Sequence, residues 1–186
     1  YQTYIDKALV SEQVSATTFG VERSSLLEWS QSDDVYAQTA IDRLNVRWSS
    51  EKLNMLLGRQ AINLATTFFF SPNDFFAPYA AQTFYRVYKP GVDGIRAEYA
   101  TGELSSVSLI GVLGYERDAS STTGWSDAPD SDRRSLLVRY VNNLAGFEWG
   151  LLAGKVRRSR LAGVSMSGEL FGWLGIRAEG HRAEEL

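Results

Sequence analysis

Ile41-Asp42-Arg43-Leu44-Asn45-Val46-Arg47-Trp48, then Ser49-Ser50-Glu51-Lys52, then Leu53-Asn54-Met55-Leu56-Leu57-Gly58-Arg59-Gln60-Ala61-Ile62-Asn63-Leu64 sets out a pattern of two arms and a short turn that recurs along the chain. In its first arm Leu44, Val46 and Trp48 alternate with Arg43, Asn45 and Arg47, the two-residue period of a strand with one oily and one charged face. The second arm keeps the oily phase at Leu53, Met55 and Leu57 and breaks it at Gly58, where a bulge would turn Arg59 to the charged side. A half-buried strand of a soluble protein carries the same pattern. The difference lies in its repetition along most of the chain.

From Gly94 the period returns. Ile95, Ala97 and Tyr99 alternate with Arg96 and Glu98, Thr101-Gly102-Glu103 turns, and Val107, Leu109, Gly111, Leu113 and Tyr115 form the next oily row. Leu136, Val138 and Tyr140 oppose Leu137, Arg139 and Val141. Beyond the turn at residues 142–146, Phe147, Trp149, Leu151 and Ala153 oppose Glu148, Gly150 and Gly154. Val164, Met166 and Gly168 descend, Phe171-Gly172 turns, and Leu174, Ile176 and Ala178 ascend opposite Gly175, Arg177 and Glu179.

The connections alternate in length: short at 49–52, long at 63–93, short at 101–104, long at 117–133, short at 142–146, moderate at 157–160, short at 170–172. Short periplasmic turns alternating with longer outside loops are the habit of outer-membrane barrels. The expected fold is therefore all-β, an antiparallel up-and-down transmembrane β-barrel with about eight strands visible, or a slice of a larger barrel. It is one domain over 1–186, with 1–34 poorly assigned and 63–93 a long aromatic loop. Ser24–Trp29 reads as a helical turn or a strand, and Val35–Trp48 as the first clear strand.

Composition agrees. Five Trp, nine Tyr, nine Phe and sixteen Gly suit a barrel wall, and cysteine is absent, so there is no thiolate metal site or disulfide frame. The 19 basic and 22 acidic residues are interspersed, which gives no clustered basic surface for nucleic acid. No run approaches the roughly 18 apolar residues of a spanning helix. Tyr1 opens the chain with no basic start or apolar core of a leader, so the chain is read as mature or as a fragment.

If the phasing holds, Arg43, Arg47, Arg59, Arg96, Arg139 and Arg177 point to a lumen together with Asn45, Glu98, Glu148 and Glu179. Such a ladder favours anions unless the glutamates neutralise it by cross-strand pairing. The loop carries Phe68-Phe69-Phe70, Asp74, Phe75, Phe76 and Tyr79. Phe69, Asp74, Phe75, Phe76 and Tyr79 are its candidates for a constriction folded into the lumen, the bland reading being a loop packed on its own rim. Arg157, Arg158 and Arg160 sit on the outer side, where the choice is between contact with lipid phosphates and a plain solvated loop tip, the commoner case for a charge run. The single histidine, His181, has no spacing that marks a Ser–His pair, and Asp127, Asp130 and Asp132 lack the ordered ligand pattern of a calcium loop. No enzyme, metal or cofactor is expected.

Asp42-Arg43-Leu44, Leu57-Gly58-Arg59-Gln60-Ala61-Ile62-Asn63, Ser71-Pro72-Asn73-Asp74-Phe75-Phe76 and Pro90-Gly91-Val92-Asp93 resemble porin-type proteins of the Gram-negative outer membrane, the group that holds alginate-export-like porins. The resemblance covers about residues 40–180 and implies a bacterial outer-membrane channel for passive diffusion of small hydrophilic solutes, anions included, with outer-membrane lipid as partner. The chain departs from the pattern at its end, where His181–Leu186 carry no terminal aromatic. The alternative is a soluble or secreted β-barrel binding module for an apolar ligand, with the oily rows turned inward and the arginines outward.

Overall fold

A computed structural model describes residues 21–32, 36–67, 71–77, 89–121 and 124–185. Phe69, Tyr79, Val35 and residues 1–20 lie outside them. The chain enters through a short 3-10 turn (Ser25–Leu27), which Ser24 caps by accepting a bond from the Leu26 N–H. Then come β1 (Glu28–Ser32), β2 (Tyr36–Ala40), β3 (Leu44–Ser49), β4 (Leu53–Gln60), β5 (Val92–Gly102) and β6 (Ser105–Val112). They are followed by β7 (Tyr115–Arg117), β8 (Trp125–Pro129), β9 (Ser135–Leu144), β10 (Phe147–Val156), β11 (Ser159–Leu170) and β12 (Leu174–Glu185). Eight of them form one antiparallel sheet in the order β12-β11-β10-β9-β6-β5-β4-β3, while β1-β2 and β7-β8 are separate hairpins. The eight-strand meander agrees with the expected up-and-down order. It does not close: β3 and β12 are its two edges.

Several details differ from the sequence reading. Val35–Trp48 is not one strand, because Ile41–Arg43 leaves the ladder: the Ile41 N–H donates to the Leu27 carbonyl, and Asp42 accepts from Arg23 and from the Gly91 N–H. Tyr115 does not continue the row of β6; it is buried in β7, opposite Pro129 of β8, with its hydroxyl donating to Asp93. The connection between β10 and β11 is a tight turn at Arg157-Arg158, with Arg157 at φ 54°, so the alternation of lengths stops there.

Register decides which residues share a face, since side chains directly opposite across a ladder lie on one side. One row runs Val46, Leu57, Ile95, Gly111, Leu136, Lys155, Arg160, Glu184, and the next Trp48, Met55, Ala97, Leu109, Val138, Ala153, Ala162, Arg182. This is the bare face: Val46 is 72% and Leu57 60% exposed, and Leu109, Leu136, Val138 and Leu151 are exposed as well. The other face is covered. Ile110, Leu137, Leu152 and Leu161 pack there with Val112 and Val156 against Ile62, Leu64, Phe76 and Ala77 of the segment between β4 and β5.

At Gly58 the expected bulge is missing, and the register runs unbroken from β3 through β5. Instead Gly58 takes φ 116°, and a Cβ there would stand 2.4 Å from the Leu44 carbonyl oxygen. Only glycine fits both the dihedral and the approach of β3. Gly58→Val is expected to lower stability by about 1–3 kcal/mol, seen as a lower denaturant midpoint by tryptophan fluorescence; an unchanged midpoint would show that β3 can move away without cost.

Candidate functional site

The covered face is built in layers. One row of it reads Arg47, Leu56, Arg96, Ile110, Leu137, Gly154, Leu161. Below it lie Asn54, Glu98, Ser108, Arg139, Leu152, Gly163 and His181, then Ser106, Val141, Gly150, Ser165 and Glu179, then Glu148, Ser167 and Arg177. Seven of the residues picked out as lumen-facing, Arg47, Arg96, Glu98, Arg139, Glu148, Arg177 and Glu179, thus share one face. Apolar side chains crowd its long-loop end and charges its turn end. Arg96 donates to Glu98 at 2.8 Å, and Arg139 runs past Gly150, whose missing Cβ leaves room for the guanidinium. A pocket of about 350 Å³ opens among Arg47, Asn54, Leu56, Arg96 and Glu98.

Arg43 and Arg59 are placed differently. Arg43 lies in the break between β2 and β3 and donates to the Lys89 carbonyl. Arg59 is 1% exposed and ties the strand ends together: Nε donates to Asp93 at 2.7 Å, a second nitrogen to the Ile41 carbonyl, and the third to both Asp93 and the Ser24 carbonyl. Arg23 bridges Glu28 and Asp42 alongside. Next to this group Glu22 accepts from Arg133, Arg157 and the Tyr115 N–H, so residues 21–28 are stitched across the long-connection end of the sheet.

The segment between β4 and β5 is latched at the turn-side half of the same face. Glu179 on β12 accepts from the backbone N–H groups of Thr66 at 2.5 Å, Thr67 at 3.3 Å and Asn73 at 3.3 Å. Asn73 donates to the Val164 carbonyl and accepts from Nδ1 of His181, and Phe75 meets the His181 ring edge-on at 5.0 Å between centroids. Asp74 and Phe76 are buried and Phe75 partly so, which puts the described constriction candidates against the sheet. Gly163 lies beneath this contact, where a Cβ would crowd the Gly180 carbonyl oxygen at 3.0 Å and the His181 Cβ at 3.1 Å. Sequence reading missed Asn73 and Lys89 as anchors; their only signal was a Pro-Asn-Asp turn and a lone lysine before Pro90-Gly91.

Asp74 pairs with Lys89, whose ammonium also reaches Asn63 at 2.9 Å, and the other Asp74 oxygen is buried without a partner. Burial raises the Asp74 carboxyl above its ordinary value, against the lowering by Lys89 and with a smaller push from Glu179. Among the described residues no group of His, Asp and Glu is arranged to hold a metal. No protein-family model, curated protein or solved structure matches the chain.

Lys89→Met is expected to cost about 3–5 kcal/mol, because it strands a buried carboxylate, and the double variant with Asp74→Asn should regain part of that loss in denaturant unfolding. A folded pKa raised above the unfolded one means that the Asp74 contribution is fullest below the ordinary carboxylate range and declines as pH rises through the raised value. Asp74→Asn should flatten that decline; an equal decline in both proteins assigns it elsewhere. Glu179→Ala, which frees three backbone donors at about 1–3 kcal/mol of desolvation cost each if they stay buried, should speed proteolytic cutting between Asn63 and Ala77 severalfold while sparing the sheet.

Proposed function

We propose that the chain forms the wall of an outer-membrane porin-like channel for small hydrophilic solutes, with the bare face toward lipid and the covered face toward the lumen. The observation that carries it is the pairing of an exposed apolar face with a charged opposite face on one continuous antiparallel sheet. A soluble monomer rarely leaves so large an apolar patch in water.

The rims of the bare face differ in a way that fits a bilayer. At the short-turn rim stand Trp48, Tyr99, Tyr140, Trp149, Phe171 and Trp173, all exposed, the last at 76%. Aromatic rings favour the headgroup level, where one part is apolar and the other wet. From Leu136 to Leu144 the oily phase of β9 extends about 27 Å at 3.4 Å per residue, close to the apolar band of about 25 Å of such barrels before tilt is taken into account. β3 and β12 are the edges at which a barrel would be completed. The segment held by Glu179 narrows the lumen, and the arginines left beside it set the field there. Because Glu98 is matched by Arg96 and Glu179 is engaged by the loop, Arg47 and Arg139 outweigh the remaining Glu148 and give this lumen an anion preference. The alternative binding module would need the oily rows enclosed, and no specific contact favours it.

Refolded in detergent, the chain should run as a compact band that boiling converts to a slower one, and in a planar bilayer it should conduct with anions preferred. Arg139→Gln should move the reversal potential toward cations without loss of the compact band. A monodisperse β protein in plain buffer that ignores detergent would overturn the reading.

A further inference from the structure

The bare face carries a feature that a plain lipid-facing wall does not require. Gly111 interrupts the apolar row between Ile95 and Leu136: its absent Cβ would lie 3.1 Å from Ile95 Cγ2 and 4.0 Å from Leu136 Cδ1. The result is a groove of about 840 Å³, floored by these apolar groups and bordered toward the long connections and β11 by Lys155, Arg160 and Arg134. Lys155 and Arg160 are direct neighbours in the ladder and continue the row of Leu136. Like charges side by side on a sheet repel, and among the described residues neither has an ion pair to offset that. Arg134 spends only Nε on the Ser131 carbonyl, at 3.0 Å. Among the described residues Lys155 and Arg160 form no ion pair, since Glu184, opposite Arg160 on β12, pairs with Arg182 at 2.8 Å; two such cations beside an apolar notch on an exposed face match one kind of molecule in charge and shape.

We propose that this groove seats a lipid with an anionic phosphate headgroup, one acyl chain lying in the notch over Gly111 and the phosphate held by Lys155 and Arg160, with Arg134 beside it. The inference rests on the membrane reading above and goes beyond it by assigning a specific lipid position on the wall. Phosphate suits the site because arginine grips it through parallel N–H groups while lysine adds a compact charge. The acyl chain suits the notch because it covers apolar surface that strand side chains leave open at a glycine.

The full chain, refolded in neutral detergent and checked for its heat-modifiable band, is titrated with phosphatidylglycerol, with phosphatidylcholine of the same chains, and with glycerol phosphate, and bound lipid is counted by native mass spectrometry. Wild type should retain phosphatidylglycerol over phosphatidylcholine and retain no glycerol phosphate. Lys155→Gln with Arg160→Gln should weaken that retention on the order of tenfold or more, as two interfacial cations are lost. Gly111→Val should weaken it by filling the notch. Arg158→Gln, at an exposed turn tip, should leave it unchanged. Equal retention by the double variant, or an equal loss in Arg158→Gln, overturns the site, the latter by showing only general surface charge. A wild type without a heat-modifiable band overturns the membrane reading and this one with it, whereas a heat-modifiable wild type with no lipid preference overturns the lipid site alone.

Discussion

The buried guanidinium of Arg59 is the constraint on which the arrangement depends. It sits at the end of β4, where the chain leaves the sheet, and joins four separate pieces: β4 itself, Asp93 at the start of β5, the break at Ile41, and the entry segment at Ser24. A charge so deeply withdrawn from water is tolerable only when its donors are matched, and here two carboxylate oxygens and two carbonyls match them. Gly91 belongs to the same device, since a Cβ there would lie 2.1 Å from the Asp42 carbonyl oxygen and 2.9 Å from Arg59 Cγ. The start of β5 is thereby fixed against the end of β4. The segment between them must leave and return at one place, and so it lies across one face of the sheet.

The two faces then follow different rules. Alternation gives each strand an oily and a mixed side, but the mixed side owes its order to position along the strand as well as to parity. Near the long connections it is aliphatic, with Ile110, Leu137 and Leu161 packed under Ile62, Leu64 and Phe76. Toward the turns it is charged. A uniformly charged face would have left the loop without apolar surface to bury, and a uniformly apolar one would have had no carboxylate to hold its backbone donors.

Much of the wall was readable from residues alone, because a period of two survives wherever a strand has unlike faces. The opposite phasing of Leu136 and Leu137, of Trp149 and Glu148, and of Ile176 and Arg177 is the phasing in the ladder. What escaped was non-local or local in another sense. Arg59 looked like another lumen arginine because sequence spacing cannot reveal that Ser24 and Asp93 converge on it. Tyr115 continued an alternation by coincidence, while a separate hairpin, in which it stands opposite Pro129, claimed it. The tight Arg157-Arg158 turn was hidden because it depends on a left-handed arginine, a conformation sequence patterns assign to glycine or asparagine. The hold of Glu179 on Thr66 spans 113 positions, beyond any local signal.

That span also orders events in time. The donors at Thr66, Thr67 and Asn73 are synthesised long before the carboxylate that receives them, and the hairpin β11-β12 must be in place before they can be satisfied. Closing so long a loop carries an entropic cost that only the finished sheet offsets. The latch to Glu179 therefore closes only once β12 has joined the sheet. Until the segment docks, the aliphatic patch at Ile110, Leu137 and Leu161 lies bare on the side opposite the exposed rows, and the nascent chain is greasy on both surfaces.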